Sequence, residues 1–102
     1  LANKYVILQR NWRYKHFEID IIAQHEQVLC FVEVKTRASN SAISPEFSLG
    51  KKQEKRIISA AHQYIVNNEI DLEIRFDIIA ITSDKNELNL EHINNAFYPT
   101  LD

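Results

Sequence analysis

The sequence predicts an α/β fold, and three observations support this prediction. Four short runs are rich in the β-branched and aromatic residues that favour strands. Between the third and fourth run, apolar residues recur at spacings of three and four, which is typical of an amphipathic helix. The second and third runs are apolar on both faces, so other layers must cover them. We therefore expect an α/β domain with other layers covering both faces of its sheet.

The first half of the chain is predicted to form three strands and a loop. The strands are expected over residues 5–13, 17–23 and 28–36. The first is marked by the apolar residues 6–8 and by Trp12, and the next two are nearly continuous apolar runs. Residues 38–50 are rich in serine and contain Pro45, which indicates a loop.

The second half is predicted to form a helix, a buried strand and a last short element. Residues 51–68 should be helical, because one face carries Ile57, Ile58, Ala61, Tyr64 and Ile65. Residues 73–82 form a fourth strand around the apolar run at 78–81, and residues 88–97 hold the last element. Asp77, unlike Asp20, is not followed by a Glu-x-Lys motif such as Glu33–Lys35. We therefore expect Asp77 to have a structural role, such as pairing with Arg75.

Length and composition indicate one ordinary globular domain over residues 1–102. No apolar run approaches the ~20 residues of a membrane-spanning helix, so no membrane partner is expected. The chain has one cysteine, Cys30, which therefore cannot form an internal disulfide. An unpaired cysteine in an apolar strand fits a buried hydrophobe in a reducing cytoplasm, and we expect a cytoplasmic protein.

The net charge of −2 hides an asymmetry between the two parts of the chain. Residues 1–68 hold ten Lys/Arg and six Asp/Glu, a balance of +4, whereas residues 69–102 hold two and eight, a balance of −6. The basic residues form clusters at Arg10, Arg13 and Lys15, at Lys35 and Arg37, and at Lys51, Lys52, Lys55 and Arg56. A phosphate-binding face on a globally acidic protein is one interpretation, and ordinary solvated side chains are the other.

Charged residues alternate with apolar ones in the second and third strands. If the hairpin loop is centred between Glu26 and Gln27, facing residues have numbers that sum to 53. Glu18 then faces Lys35, and Asp20 faces Glu33, on one face of the sheet. Ile19 faces Val34, and Ile21 faces Val32, on the other face.

The two charged pairs differ in what they require. Glu18 and Lys35 can form a cross-strand salt bridge. Asp20 and Glu33 carry like charges, which repel each other, and a divalent cation or a shared proton would offset that repulsion. The spacing alone leaves a metal site and a structural ion cluster equally open. Lys35 shares the face of Glu33 and could orient a water or stabilise charge on a phosphate.

An Asp followed about a dozen residues later by Glu-x-Lys resembles the PD-(D/E)xK nuclease superfamily. A more specific likeness covers nearly the whole chain. It includes Asn11-Trp12-Arg13, Glu18-Ile19-Asp20-Ile21-Ile22-Ala23, Phe31-Val32-Glu33-Val34-Lys35-Thr36-Arg37, Ala60-Ala61, Arg75-Phe76-Asp77 and Asn95-Ala96-Phe97. In order and spacing these resemble the YraN-like family of predicted bacterial endonucleases, which are related to archaeal Holliday junction resolvases.

The resemblance implies a restriction-endonuclease-like fold, a mixed sheet with helices on both faces and an αβββαβ core. It also implies a Mg²⁺ or Mn²⁺ site with Asp20, Glu33 and the backbone carbonyl of Val34 as ligands. Lys35 would be the catalytic lysine, and Glu18 an extra ligand or a neighbour of the ligands. Two departures stand out: Phe17 replaces the family's usual glycine, and the family's N-terminal helix, with its glutamate, is expected before Leu1.

Five basic or polar residues are candidate nucleic-acid contacts, namely Arg13, Arg37, Lys52, Gln53 and Lys55. The Lys52–Gln53 pair is singled out because superfamily members place Lys or Gln at the start of this helix against the scissile phosphate. A solvated first helical turn is the other interpretation. For Arg37, a phosphate contact and a solvated strand end are both open.

We expect a metal-dependent endonuclease that hydrolyses DNA, including branched or damaged DNA, and leaves 5′-phosphate and 3′-hydroxyl ends. The alternative is an inactive nucleic-acid-binding or scaffold protein that keeps the nuclease fold. The sequence does not separate DNA from RNA as the substrate. A homodimer is expected only by analogy with related resolvases.

Overall fold

In the described part of the chain the sheet has five strands, and they lie side by side in chain order. The computed structural model describes residues 4–38 and 50–99. Within these ranges the elements are β1 (Val6–Tyr14), β2 (Phe17–His25), β3 (Val28–Ala38), α1 (Lys51–Asn67), β4 (Glu73–Asp84) and β5 (Glu87–Phe97). The prediction of a mixed α/β architecture is therefore confirmed, whereas the predicted loop over residues 38–50 lies almost entirely outside the described residues.

The first three strands form an antiparallel meander with two tight turns. Lys15 and Glu26 adopt left-handed φ angles of 57° and 56° in these turns, which lets each chain reversal take only two residues. The pairs between β2 and β3 run from Ile21↔Val32 to His25↔Val28. The predicted register, in which paired numbers sum to 53, is confirmed over this part of the hairpin.

The helix α1 connects β3 to β4, which run parallel to each other. Parallel neighbours need a crossover, and a helix is the usual one. The helix begins directly after Gly50, and its buried face consists of Ile57, Ala60, Ala61 and Tyr64. Helix α1 ends at Asn67, so the predicted helix at residues 51–68 is one residue too long at its C-terminal end.

The last element is longer and more regular than the sequence indicated. β5 has 11 residues and pairs antiparallel with β4 through a turn at Lys85–Asn86. Most of β5 is exposed, with Leu88 at 74% and Leu90 at 67%. Its pattern lacked an apolar face because it is an edge strand with little of its surface in the core.

The core divides into two clusters, one on each face of the sheet. The helix-side cluster unites the buried face of α1 with Ile22, Phe31 and Phe76. The far-side cluster is smaller and is built on Cys30, Val32 and Ile79. In the described residues one face is therefore covered by a helix, and the expected cover of both faces by helices is not observed there.

One side-chain assignment from the hairpin register is wrong. Ile19 packs in the helix-side cluster together with Ile22, whereas Val34 packs in the far-side cluster. Ile19 and Ile22 are three residues apart, so strict alternation breaks between them. Asn11, whose neighbours Arg10 and Trp12 pair with Ile21 and Ile19, has a left-handed φ of 51°. This local rotation of the strand pair is the physical reason for the break.

No helix within residues 4–38 and 50–99 is long and apolar enough to cross a membrane. The expected N-terminal helix of the family resemblance falls outside the described residues.

Candidate functional site

Asp20 and Glu33 lie where the ladder between β2 and β3 ends. The outermost pair is Ile21↔Val32, and each acid is the next residue outward on its strand. The Oδ2 of Asp20 accepts a hydrogen bond from the backbone N–H of Val34 at 2.8 Å. A carboxylate thus satisfies this strand N–H and is held beside Glu33.

The two carboxyl groups are close enough to change each other's titration. Burial, followed by the negative charge of Asp20 and a hydrogen bond with Asp20, raises the pKa of Glu33 from 4.5 to about 7. Lys35 acts in the opposite direction, and Glu18 adds to the increase. The pKa of Glu33 therefore lies near neutral pH, and a shared proton and a divalent cation both stay open as the means of offsetting the repulsion.

Gln53 joins Glu33 to Lys35. Its amide nitrogen donates to Glu33 Oε2 at 2.9 Å, and its amide oxygen accepts from Lys35 Nζ at 3.4 Å. An amide is suited to this place because it offers a donor to the acid and an acceptor to the ammonium group. The sequence predicted a phosphate contact for Gln53, and the structure shows contacts with two of the predicted catalytic side chains.

These groups open into a cleft of about 470 Å³ between the sheet and the start of α1. One wall carries the acids Glu18, Asp20 and Glu33, and the other carries Lys52 and Arg56. His16, Phe17, Gly50, Gln53 and Ile57 complete the lining. The cleft therefore places a cluster of carboxylates opposite two cationic side chains.

Glu18 does not pair with Lys35 as the register predicted. Its Oε2 lies 3.5 Å from Nε of Arg13, while Lys35 turns toward Gln53. Arg13 pairs with Glu18 in the ladder between β1 and β2, so a neighbour on the other side competes for the acid. With its side chain 40% exposed, Glu18 lines the cleft at its rim.

The basic residues of α1 divide between two surfaces. Lys52 lines the cleft, whereas Lys55 lines a separate groove together with Lys51 and Tyr98. The structure therefore does not bring Lys55 into the cleft. At about 100° per residue, Lys55 and Arg56 lie on opposite sides of Lys52 around the helix axis, and Arg56 is on the side that faces the cleft.

Both Arg56 and His16 line the cleft, although the sequence indicated Arg56 only as a member of a basic cluster and did not indicate His16. Helical spacing from Lys52 could have identified Arg56. His16 had no such signal, because its position follows from the tight turn between β1 and β2. Arg37 is half-buried on β3, two residues beyond Lys35, and its phosphate contact stays a prediction.

The donor set fits a divalent cation with a modest number of protein ligands. Within the part of the chain that the structure describes, no three His, Cys, Asp or Glu side chains are grouped to hold a metal. Mg²⁺ keeps several waters and commonly binds through one or two carboxylates. Two neighbouring hard oxygen donors, Asp20 and Glu33, meet that requirement. The ligand role of the Val34 carbonyl stays a prediction.

A second carboxylate, Asp77, lies buried in the sheet and is fully supplied with donors. Arg75 donates to both of its oxygens at 2.9–3.2 Å, and His92 Nε2 lies 2.7 Å from Oδ2. The backbone N–H of Asn95 adds a bond at 3.1 Å, and Arg75 also donates to the hydroxyl of Tyr5 at 2.6 Å. The predicted structural role and its pairing with Arg75 are confirmed.

Comparison with known proteins places the chain among bacterial relatives. A model of the family described as "Uncharacterised protein family UPF0102" matches residues 1–81. The chain belongs to the UPF0102 family.

Individual UPF0102 proteins resemble the chain over most of its length. A protein of Flavobacterium psychrophilum is 45% identical over 94 residues, covering 92% of this chain and 79% of that protein. One from Bacteroides thetaiotaomicron is 42% identical over 97 residues, covering 95% and 80%. One from Flavobacterium johnsoniae is 44% identical, covering 92% and 80%.

Proposed function

We propose that this protein is a metal-dependent endonuclease of the PD-(D/E)xK superfamily that hydrolyses phosphodiester bonds in DNA. The main observation behind this proposal is the pair of carboxyl groups, Asp20 and Glu33, at the end of the ladder between β2 and β3. Gln53 forms hydrogen bonds with both Glu33 and Lys35 and so connects this pair to the lysine. An antiparallel meander, a crossover helix and a parallel fourth strand agree with the βββαβ part of a restriction-endonuclease-like core.

In this proposal, Asp20 and Glu33 hold Mg²⁺ or Mn²⁺, with the carbonyl of Val34 as a third protein ligand. When bound, such an ion lowers the pKa of a water and polarises the phosphate. It also offsets the repulsion between the two carboxylates, which after burial is the next largest cause of the raised pKa of Glu33.

The chain's own residues bind and orient the substrate. Lys52 and Arg56 on the opposite wall contact the negatively charged backbone. Lys35 stabilises charge on the phosphate in the transition state, and Gln53 fixes the position of Lys35 relative to Glu33.

The test is cleavage of branched, nicked and linear DNA by the purified protein with Mg²⁺ or Mn²⁺. Lys35→Ala should lower the rate by a factor of at least about 100, since a transition-state contact is removed. Lys55→Ala removes the same charge outside the cleft and serves as the matched control, with a change of no more than about twofold. Cleavage by Lys35→Ala at the native rate would contradict the mechanism.

The second candidate is a nucleic-acid-binding or scaffold protein that retains this fold without catalysis. The observation in its favour is that, among the described residues, no three His, Cys, Asp or Glu side chains are grouped so that they could hold a metal. Titration with Mn²⁺ separates the two candidates. DNA binding that persists while Mn²⁺ fails to bind would favour the scaffold. The same assays with RNA substrates decide between DNA and RNA.

We also propose a cellular location and an assembly state for this protein. A cytoplasmic location suits the buried free thiol of Cys30. A homodimer is proposed by analogy with related resolvases, and sedimentation analysis tests it.

A further inference from the structure

The turn between β1 and β2 carries aromatic and basic side chains that the proposed catalytic chemistry does not use. We call residues 10–17 the basic hairpin. Its basic residues Arg10, Arg13 and Lys15 and the turn residue His16 are all exposed. Residues 10–17 contain no Asp or Glu, and the acid that follows directly, Glu18, pairs with Arg13. The basic hairpin is therefore a locally cationic edge of the sheet.

Two aromatic rings on this hairpin lie nearly parallel. The rings of Trp12 and Tyr14 have centroids 6.4 Å apart and planes within 7° of each other. Trp12 is fixed from behind, because it meets Tyr64 of α1 edge-on at 5.2 Å and packs against the helix-side cluster. Tyr14 stands further out and is only partly buried. The pair thus presents an anchored, flat aromatic surface near the tip.

A cation already occupies the face of the outer ring. Lys15 Nζ lies 5.4 Å from the centroid of Tyr14, within the range of a cation–π contact. Lys15 is exposed and its side chain is flexible, so a ligand with a flat face and a negative charge could bind both the Tyr14 ring and the Lys15 ammonium group. Such a ligand would stack on the ring and pair with the ammonium group. A nucleotide has both features.

The basic hairpin leads directly into the candidate site. His16 and Phe17, the residues that follow Lys15, line the same cleft as Asp20 and Glu33. A strand whose base rests on Tyr14 would therefore continue into the cleft along its sheet-side wall. Lys52 and Arg56 face this path from the opposite wall.

We propose that the basic hairpin is a binding platform for single-stranded nucleic acid, with Tyr14 stacking a base and the flanking cations holding the phosphates. Stacking on an aromatic ring needs an unpaired base, since duplex bases are stacked on each other. The platform defines the substrate class as DNA with an unpaired strand next to the scissile bond, such as a flap or a splayed arm. This last step rests on the proposed nuclease function, whereas the binding itself does not.

The test is fluorescence anisotropy of a labelled single-stranded oligonucleotide and of the matching duplex, with EDTA present. Loss of one base stack corresponds to about tenfold weaker binding. Tyr14→Ala should bind the single strand about tenfold more weakly and leave duplex affinity unchanged. Tyr14→Phe, which keeps the ring, should bind within about twofold of the native protein. Tyr98→Ala removes an exposed tyrosine from the other groove and should have no effect.

A second measurement needs no variant. Trp12 is the single tryptophan of the chain, so its fluorescence reports on the platform. Saturation with single strand should quench this fluorescence, and duplex at the same phosphate concentration should not. Equal loss of single-strand and duplex affinity in Tyr14→Ala, native affinity in that variant, or unchanged Trp12 fluorescence would each overturn the proposal. Because no metal is present, a protein that binds in this way but never cleaves would refute the nuclease function alone.

Discussion

Two regions of the molecule contain the same four residues, Asp-Ile-Ile-Ala, at residues 20–23 and 77–80. In both, the aspartate lies on a strand of the same sheet and is followed by buried residues, Ile22 and Ala23 in β2 and residues 78–80 in β4. Asp77 is fully buried and takes hydrogen bonds from Arg75, His92 and the backbone of Asn95. Asp20 takes one from the backbone of Val34 and faces a second carboxyl group, Glu33.

The difference lies in the neighbours and not in the peptide. At Asp77 the neighbouring positions supply a cation, an imidazole and an N–H, so the charge is satisfied inside the protein. At Asp20 the neighbouring strand supplies another acid, so the charge is left for a proton or a ligand. A buried acid with its donors complete is structural, and an acid paired with an acid is a candidate site.

The largest expected effect is on stability, and it separates the two aspartates. Asp77→Ala should lower the free energy of unfolding by about 3–5 kcal/mol, because it removes the buried carboxylate to which Arg75, His92 and the backbone N–H of Asn95 are hydrogen-bonded. Asp20→Ala should change it by no more than about 1 kcal/mol, since the lost bond to Val34 is offset by relief of repulsion. Urea denaturation measures both. Equal losses would show that the two acids play the same structural part.

A smaller effect on the free energy of unfolding is expected when the charge of Glu33 is removed. The pKa of Glu33 is about 7 in the folded protein, above its ordinary 4.5, so the folded chain keeps a proton that the unfolded chain loses. Native stability should therefore fall as pH rises from about 4.5 to about 7. At pH 8, Glu33→Gln should be more stable by about 1–2 kcal/mol, a figure reduced for the partial exposure of the group.

The control for Glu33→Gln is the same measurement at pH 4, where the two proteins should differ little. Addition of Mn²⁺ at pH 8 should stabilise the native protein and have no such effect on Glu33→Gln. A native protein whose stability is flat between pH 4.5 and 7 would show that the two carboxyl groups do not interact.

The smallest expected effect concerns the reactivity of the Cys30 thiol, which is close enough to Asp77 to be influenced by its charge. Burial, followed by the charge of Asp77, raises the pKa of Cys30 to about 11, and its side chain is fully buried. At pH 8 the folded protein should react with iodoacetamide at least about 100-fold more slowly than the urea-unfolded chain. Mass spectrometry measures the rates. Fast labelling of the folded protein would show that the far-side cluster opens readily.

The comparison also shows what could be read from the sequence. The strands around Asp20 and Glu33 and their register were predictable, because strand alternation and a two-residue turn constrain them. The partners of Asp77 were only partly predictable, since Arg75 is two residues away on the same strand. His92 and Asn95 come from β5, whose exposed pattern gave no strand signal.

The errors in the candidate site have the same origin. The Glu18–Lys35 pair failed because Arg13, on a third strand, competes for Glu18. The sequence did not show that Lys55 faces another groove, because that depends on how α1 is rotated against the sheet. Gln53 lines the cleft, but its contact with Glu33 depends on the same packing, which local sequence does not encode, and its phosphate contact stays a prediction.

The parallel pairing of β3 with β4 has a consequence for how the protein folds. The meander β1–β3 closes through two-residue turns, whereas pairing Val28 with Glu73 must first close the long segment that contains α1. The hairpin that brings Asp20 next to Glu33 therefore forms early, and Gln53 arrives late. Before Gln53 arrives, the partly folded chain holds the like charges of Asp20 and Glu33 together without a hydrogen bond from that glutamine. Protons or divalent ions in the medium should therefore influence the folding rate.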